Sequence, residues 1–173
     1  MLPKKTEEAL NKQINAEFYS AYLYLSMSAY FHSADLMGFE KWMRVQAQEE
    51  LIHASKFYQF ICDRDGRVLL DPHEGPKTDW KTTLEVFEDA YAHEQLITKK
   101  IGDLVELSNK EKDHATHAFL QFFVTEQVEE EATLHQIIKD VKRIRDHPNG
   151  VFLMDRELAQ RTFVMPPAGE TGA

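Results

Sequence analysis

"VTEQVEEEATL", residues 124–134, sets four glutamates and one glutamine into a stretch that otherwise has the spacing of an amphipathic helix. Phe123, Gln127, Glu130 and Leu134 fall on one face, continued by Leu120 upstream and by Ile137, Val141 and Ile144 downstream. If that face is the buried one, a carboxylate and an amide lie in the interior, and something there must receive them. Glu126 and Glu129 lie beside the face, each about 100° in projection from the inward residue that follows it. Glu131 is expected to face out.

The same pattern recurs in three other helical stretches. The first reads Leu10, Ile14, Glu17, Ala21, Tyr24; the second reads Phe39, Met43, Gln46, Glu50, His53, Phe57, Phe60. The third reads Leu84, Phe87, Tyr91, Glu94, Thr98, Ile101, Val105. Each stripe is apolar at both ends and acidic near its middle, with the alternating three and four spacing of bundle packing.

Breakers place these stripes on separate helices. The first helix is expected over 6–33 and the second over 39–65, joined by a short turn ending in Gly38. Residues 66–82 carry Gly66, Pro72, Gly75 and Pro76 and read as a long irregular connection. A capping box at Thr82 and Glu85 opens a third helix reaching Ser108. Asn109 is positioned to close it, and Asp113 to cap a fourth helix reaching Arg145. His147-Pro148-Asn149-Gly150 breaks the chain again before a short fifth helix over 151–161. The expected domain is residues 1–163, with a disordered tail over 164–173.

The long connection decides the topology. Short turns make the first two helices antiparallel, and likewise the third and fourth. Seventeen extended residues cover at most ~60 Å, whereas a 27-residue helix is ~40 Å long. The connection can therefore run the length of the bundle and return the chain to its starting end. The result is all-α: a four-helix bundle with one long crossover and a short fifth helix.

Heights follow from the turns. Glu17 and His53 are equidistant from Asp35 in the first turn, and Glu94 and Glu130 from Lys112 in the second. Four helices thus deliver their inward polar groups to one level. Four carboxylates with one histidine, and no lysine or arginine on the same stripes, cannot be neutralised internally. Each costs several kcal/mol if left unpaired, and protonating all of them demands large pKa shifts in every one. Two bridged cations resolve this with less strain on the fold. Carboxylates with one imidazole and no thiolate suit iron or manganese better than structural zinc. Glu50-x-x-His53 is the local ligand motif, weak alone and specific only with the other three at matching height.

Composition narrows the classes. A net charge of −9 argues against a general nucleic-acid partner. Cys62 is the only cysteine, so no internal disulfide forms and a reducing cytoplasm is expected; a small core or interface role suits it. No signal-peptide core is present at the N-terminus. Phe18 to Ala34 lacks Asp, Glu, Lys and Arg but holds four serines and four tyrosines and is too short to span a bilayer, so no membrane partner is expected. Tyr24, on the stripe near Glu17, is a candidate hydrogen-bond donor or electron-transfer residue. His93 adjoins Glu94 but points away and is expected at a surface or interface.

"INAEFYS", "AQEELIHA", "HEQLIT" and "FLQFFVTEQVEEE" resemble the ferroxidase segments of the non-haem ferritins of bacteria and archaea, across nearly the whole chain. The resemblance implies a first iron site at Glu17, Glu50 and His53. It implies that Glu50 bridges to a second iron held by Glu94 and Glu130, with Gln127 close by. It further implies a third site from Glu49, Glu126 and Glu129 together with Glu130. Thr133 stands where a symmetric di-iron pattern needs a second histidine, and Leu51 replaces the haem-ligating methionine of bacterioferritins, so no haem is expected. The function implied is a cytoplasmic iron-storage ferritin that oxidises Fe²⁺ with O₂ or peroxide inside a homo-oligomer of 24 subunits. The alternatives are a ferritin-like di-iron oxidase or peroxidase that stores no mineral, and a non-enzymatic assembly protein with a buried glutamate network.

Overall fold

The computed structural model describes residues 2–144 and 147–164. Five helices follow in order: α1 (Lys4–Ser33), α2 (Met37–Asp63), α3 (Thr83–Lys110), α4 (His114–Ile144) and α5 (Pro148–Leu158). α1 packs along α2, α3 along α4, and α1 along α3, while α5 lies against α2 and α4. No strand occurs among the described residues. The architecture is a four-helix bundle with one long crossover and a short fifth helix. The expected disordered tail falls outside the described residues apart from Val164.

Three helix ends are closed in one way. Leu36 N–H donates to the Phe31 carbonyl at 3.0 Å, Gly66 to Ile61 at 2.9 Å and Asp113 to Ser108 at 2.9 Å. Each closure puts the residue before the donor in the left-handed region: Asp35 and Asp65 at φ 57°, Lys112 at φ 56°. None is glycine, so each carries about 1 kcal/mol of steric cost that the closing hydrogen bonds offset. Asp35 and Lys112 are also the two residues from which the inward polar groups are equidistant. Asn109 does not end its helix, because α3 runs on to Lys110. Gly38 likewise lies inside α2 rather than in the turn. Its reason is close packing: a Cβ there would sit 1.6 Å from the Asp155 carbonyl oxygen of α5.

Side chains fix three further ends. Thr82 Oγ1 accepts from Glu85 N–H at 3.1 Å, and Glu85 reaches back to Lys81 N–H at 2.8 Å, one residue short of the expected box. Asp113 accepts from Thr116 N–H at 3.2 Å and caps α4. Asp155 accepts from the N–H groups of Gly38 (2.7 Å) and Phe39 (3.1 Å), so α5 supplies a cap to α2.

The crossover is held as if it were a strand. Asn11 and Asn15, one turn apart on α1, each exchange side-chain hydrogen bonds with its backbone. Asn11 donates to Arg67 O (2.9 Å) and accepts from Leu69 N–H (2.6 Å). Asn15 donates to Leu69 O (3.0 Å) and accepts from Asp71 N–H (2.8 Å). Farther along, Ser26 donates to Lys77 O at 2.7 Å. The segment therefore runs beside α1 over most of its length.

The interior divides into two apolar clusters with a polar level between them. One gathers Met27, Phe31, Phe39, Met43, Phe87, Leu134 and Met154; the other gathers Leu10, Ile14, Phe57, Ile61, Ile101, Leu120 and Phe123. On α3 the buried face reads Phe87, Ala90, Glu94, Ile97, Ile101, Leu104, whereas Leu84, Tyr91, Thr98 and Val105 are only half-buried. α3 meets both α1 and α4, so its buried arc is wider than one seam and is centred between the two possible stripes.

Candidate metal centre

Glu17, Gln46, Glu50, His53, Glu94, Gln127 and Glu130 are all buried between the two apolar clusters. Glu17 comes from α1, Glu50 and His53 from α2, Glu94 from α3, and Gln127 and Glu130 from α4. Carboxylate and imidazole ligand atoms of Glu17, Glu50 and His53 lie within 4.8 Å of one another, close enough to share one ion. His53 Nδ1 is 3.6 Å from Glu50 Oε2, the meeting that an i, i+3 pair allows on one helical face.

The amides beside these acids are placed by the same periodicity. Gln13, one turn before Glu17, donates to its Oε1 at 2.7 Å. Gln46, one turn before Glu50, donates to its Oε1 at 3.4 Å. On the other side Tyr24 donates to Glu94 Oε1 at 2.6 Å, and Gln127 to Glu94 Oε2 at 3.0 Å. Both oxygens of Glu94 are thereby oriented. Glu17 Oε2 and Gln46 Oε1 are buried with no hydrogen-bond partner. An orphaned carboxylate oxygen at this depth is costly, and a cation between α1 and α2 would satisfy it.

Burial, followed by the neighbouring Glu50, pushes the Glu17 carboxyl up to about 8. Burial and Glu94 push Glu50 up to about 7, and burial and Glu130 push Glu94 up to about 7. Glu130 is raised as well, chiefly by burial. For His53 burial acts downward, but Glu126 and Glu50 outweigh it and hold the imidazole well above its usual range. Burial and Glu94 raise the Tyr24 hydroxyl far above 10, so it stays a donor at any physiological pH. The group binds protons because it lacks other positive charge. A di- or trivalent ion would displace them.

The outer acids are differently placed. Glu126 is one-third exposed and 3.8 Å from His53 Nε2. Glu129 is exposed, and Glu49 makes an ion pair with Arg161, from the segment after α5. Glu131 does not face out as expected: it is partly buried and accepts from Thr98 Oγ1 at 2.6 Å. His93 is half-buried, 2.7 Å from Ser20 Oγ, and burial lowers it to about 4. Cys62 is exposed in the subunit and belongs to no core.

Gln13 and the pairing role of Gln46 escape a reading of stripes, although each stands four residues before a buried glutamate. Arg161 had no such signal, since it follows the fifth helix and lies on no periodic face. The haem-related position, Leu51, is exposed on α2. Among the described residues no helix is long and apolar enough to cross a membrane.

A family profile described as the ferritin-like domain matches residues 7–144, which contain every inward ligand candidate. Bacterial non-heme ferritin from Bacteroides fragilis (strain 638R) is 44% identical over 161 residues, covering 93% of this chain and all of that protein. Its counterpart from Staphylococcus saprophyticus is 42% identical over 163 residues, covering 94% of this chain and 98% of that one. Among solved structures, an open-pore ferritin from the archaeon Archaeoglobus fulgidus superposes with a TM-score of 0.92 at 49% identity, covering 94% of this chain and 99% of that one. A humanized archaeal ferritin superposes at 0.94 with 48% identity, covering 95% and 100%. Crossover topology, fifth helix and acidic centre therefore have one common explanation: the chain belongs to the ferritin-like family.

Proposed function

We propose that the protein stores iron and that each subunit oxidises the Fe²⁺ it takes in. The observation that carries this reading is the buried group of four carboxylates and one histidine with no lysine or arginine among them. Glu17, Glu50 and His53 would hold one Fe²⁺. Glu50 would bridge to a second held by Glu94 and Glu130. Each Fe²⁺ gives up one electron, and O₂ takes the pair with two protons and leaves as hydrogen peroxide; hydrogen peroxide as oxidant takes the pair with two protons and leaves as two waters. Tyr24 and Gln127 keep Glu94 aimed, and Gln13 and Gln46 do the same for Glu17 and Glu50. Glu49, Glu126 and Glu129, with Glu130, would form an outer position for a third iron.

Storage requires an enclosed volume, and so many copies of residues 1–163 acting as one unit. Tyr22 and Leu25 on α1, Leu51 and Tyr58 on α2, and Leu69 and Leu70 on the crossover expose large apolar surfaces that favour self-association. A shell of 24 subunits of 20.1 kDa has a mass of roughly half a megadalton. The working compartment is the cytoplasm.

The test is aerobic loading of the purified protein followed by size-exclusion chromatography with iron analysis. Storage is supported by hundreds of ferric ions per half-megadalton particle. Rapid oxidation by a small oligomer that retains no iron would make the protein a di-iron oxidase or peroxidase instead.

A further inference from the structure

Among the described residues, Arg161 is the only lysine or arginine that makes an ion pair with any of the inner or outer glutamates. Its position is built rather than incidental. Asp155 ties α5 to the start of α2, and Lys41 Nζ donates to the Ala159 carbonyl at 2.7 Å. Arg161 N–H closes on Leu158 O at 3.2 Å. The guanidinium then lies over the Trp42 ring, with Cζ 4.3 Å from the centroid. Trp42 and Glu49 are seven residues apart on α2, two turns along one face, so the side chain that covers the first reaches the second. Its Nη2 pairs with Glu49 Oε2, while its Nη1 is buried with no hydrogen-bond partner.

We propose that Arg161 is the resident counter-cation of the outer carboxylates: it holds Glu49 until a third iron displaces it, so the outer position fills after the inner pair. This rests on the reading of Glu49, Glu126 and Glu129 as an outer iron position. A guanidinium and a metal ion compete for the negative charge of Glu49 and repel each other across it, so binding there favours an exchange of one cation for the other. Among the described residues no lysine or arginine pairs with the inner glutamates. The Trp42 face gives the displaced guanidinium somewhere to remain, because an arginine over an indole keeps its charge favourably placed after losing a carboxylate. The fork geometry matters too: with only one Nη engaged, the pair is weaker than a bidentate one and can be opened by an ion.

The test is anaerobic Fe²⁺ titration of the assembled protein by calorimetry, comparing wild type, R161Q, R161K and E49Q with the E49Q/R161Q double variant. R161Q should tighten the third Fe²⁺ about tenfold and leave the first two unchanged. R161K should tighten it less, since it keeps the charge. In the E49Q background R161Q should have no effect. Crystals of wild type and R161Q, soaked anaerobically in Fe²⁺, separate the two ways of failing. Iron at Glu49 with equal affinity in both proteins overturns the arginine's role alone. Iron at Glu49 in neither overturns the outer site and the arginine's role together.

Discussion

Two groups of glutamates lie side by side in this bundle and are treated in opposite ways. The inner group is buried, is supported by amides and one tyrosine hydroxyl, and leaves Glu17 Oε2 with no partner. The outer group is partly exposed or exposed, and its most buried member, Glu49, already has a cation in Arg161. Water and an arginine can satisfy the outer acids, whereas among the described residues no lysine or arginine pairs with the inner ones, and Glu17 Oε2 has no partner. Affinity for an added cation should follow that difference. On the proposed reading the inner group binds first and tightly, and the outer group later and by exchange.

The largest effect expected from this contrast comes from the inner group. Replacing Glu50 and His53 together by alanine should slow the fast phase of Fe²⁺ oxidation by about 100-fold or more, measured by stopped-flow absorbance. Helicity and assembly should survive, because the change removes a buried acid together with its imidazole partner and strands neither. An unchanged fast phase would remove oxidation from this centre.

Within the opening stretch, Glu130 and Glu129 should separate. Glu130→Ala removes an inner acid and should slow the fast phase by roughly 10-fold to 100-fold. Glu129→Ala should change it by less than about twofold and instead alter the Fe²⁺ consumed per O₂, read with an oxygen electrode. Equal effects of the two substitutions would erase the distinction between the groups.

A smaller effect concerns stability without metal. Glu17, Glu50 and Glu94 are raised from 4.5 to about 8, about 7 and about 7. The folded protein therefore holds protons that the unfolded chain has lost. This contribution to stability is present in full below pH 4.5 and is lost as pH rises through about 7 and then about 8. Glu17→Gln, which cannot ionise, should raise the metal-free Tm by roughly 5 °C at pH 8 and leave it little changed at pH 4.5. Calorimetric scans at the two values check it. A uniform shift would mean that desolvated charge is not what the inner group stores.

The smallest effect expected is none. Leu51 offers no sulfur, so haem added to the purified protein should give no Soret band of methionine ligation at one per subunit pair. A stoichiometric band of that kind would show a haem site the α2 surface does not suggest.

Much of this arrangement was legible in the chain because helical periodicity and turn position are local properties. Equal distances from Asp35 and from Lys112 placed Glu17 level with His53 and Glu94 level with Glu130. In the structure those two residues are the left-handed closures of the turns. The caps at Thr82 and Asp113 were local as well. Three features of the tertiary packing were not legible. The α3 face was displaced because a helix touching two neighbours buries a wider arc than one stripe. Gly38 was read as a turn residue, whereas its purpose is the approach of α5, some 117 positions away in sequence. Arg161 reaches Glu49 only through the docking of α5, and no spacing rule joins residues brought together by tertiary packing.

The claim that the inner acids, rather than the outer ones, form the primary iron site is tested most directly by crystallography at the iron absorption edge. Crystals grown without oxygen would be given two Fe²⁺ per subunit and no more. The account predicts two anomalous peaks, one within ligand distance of Glu17, Glu50 and His53 and the other beside Glu50, Glu94 and Glu130. Peaks at Glu49, Glu126 and Glu129 with the inner group still lacking iron would contradict it.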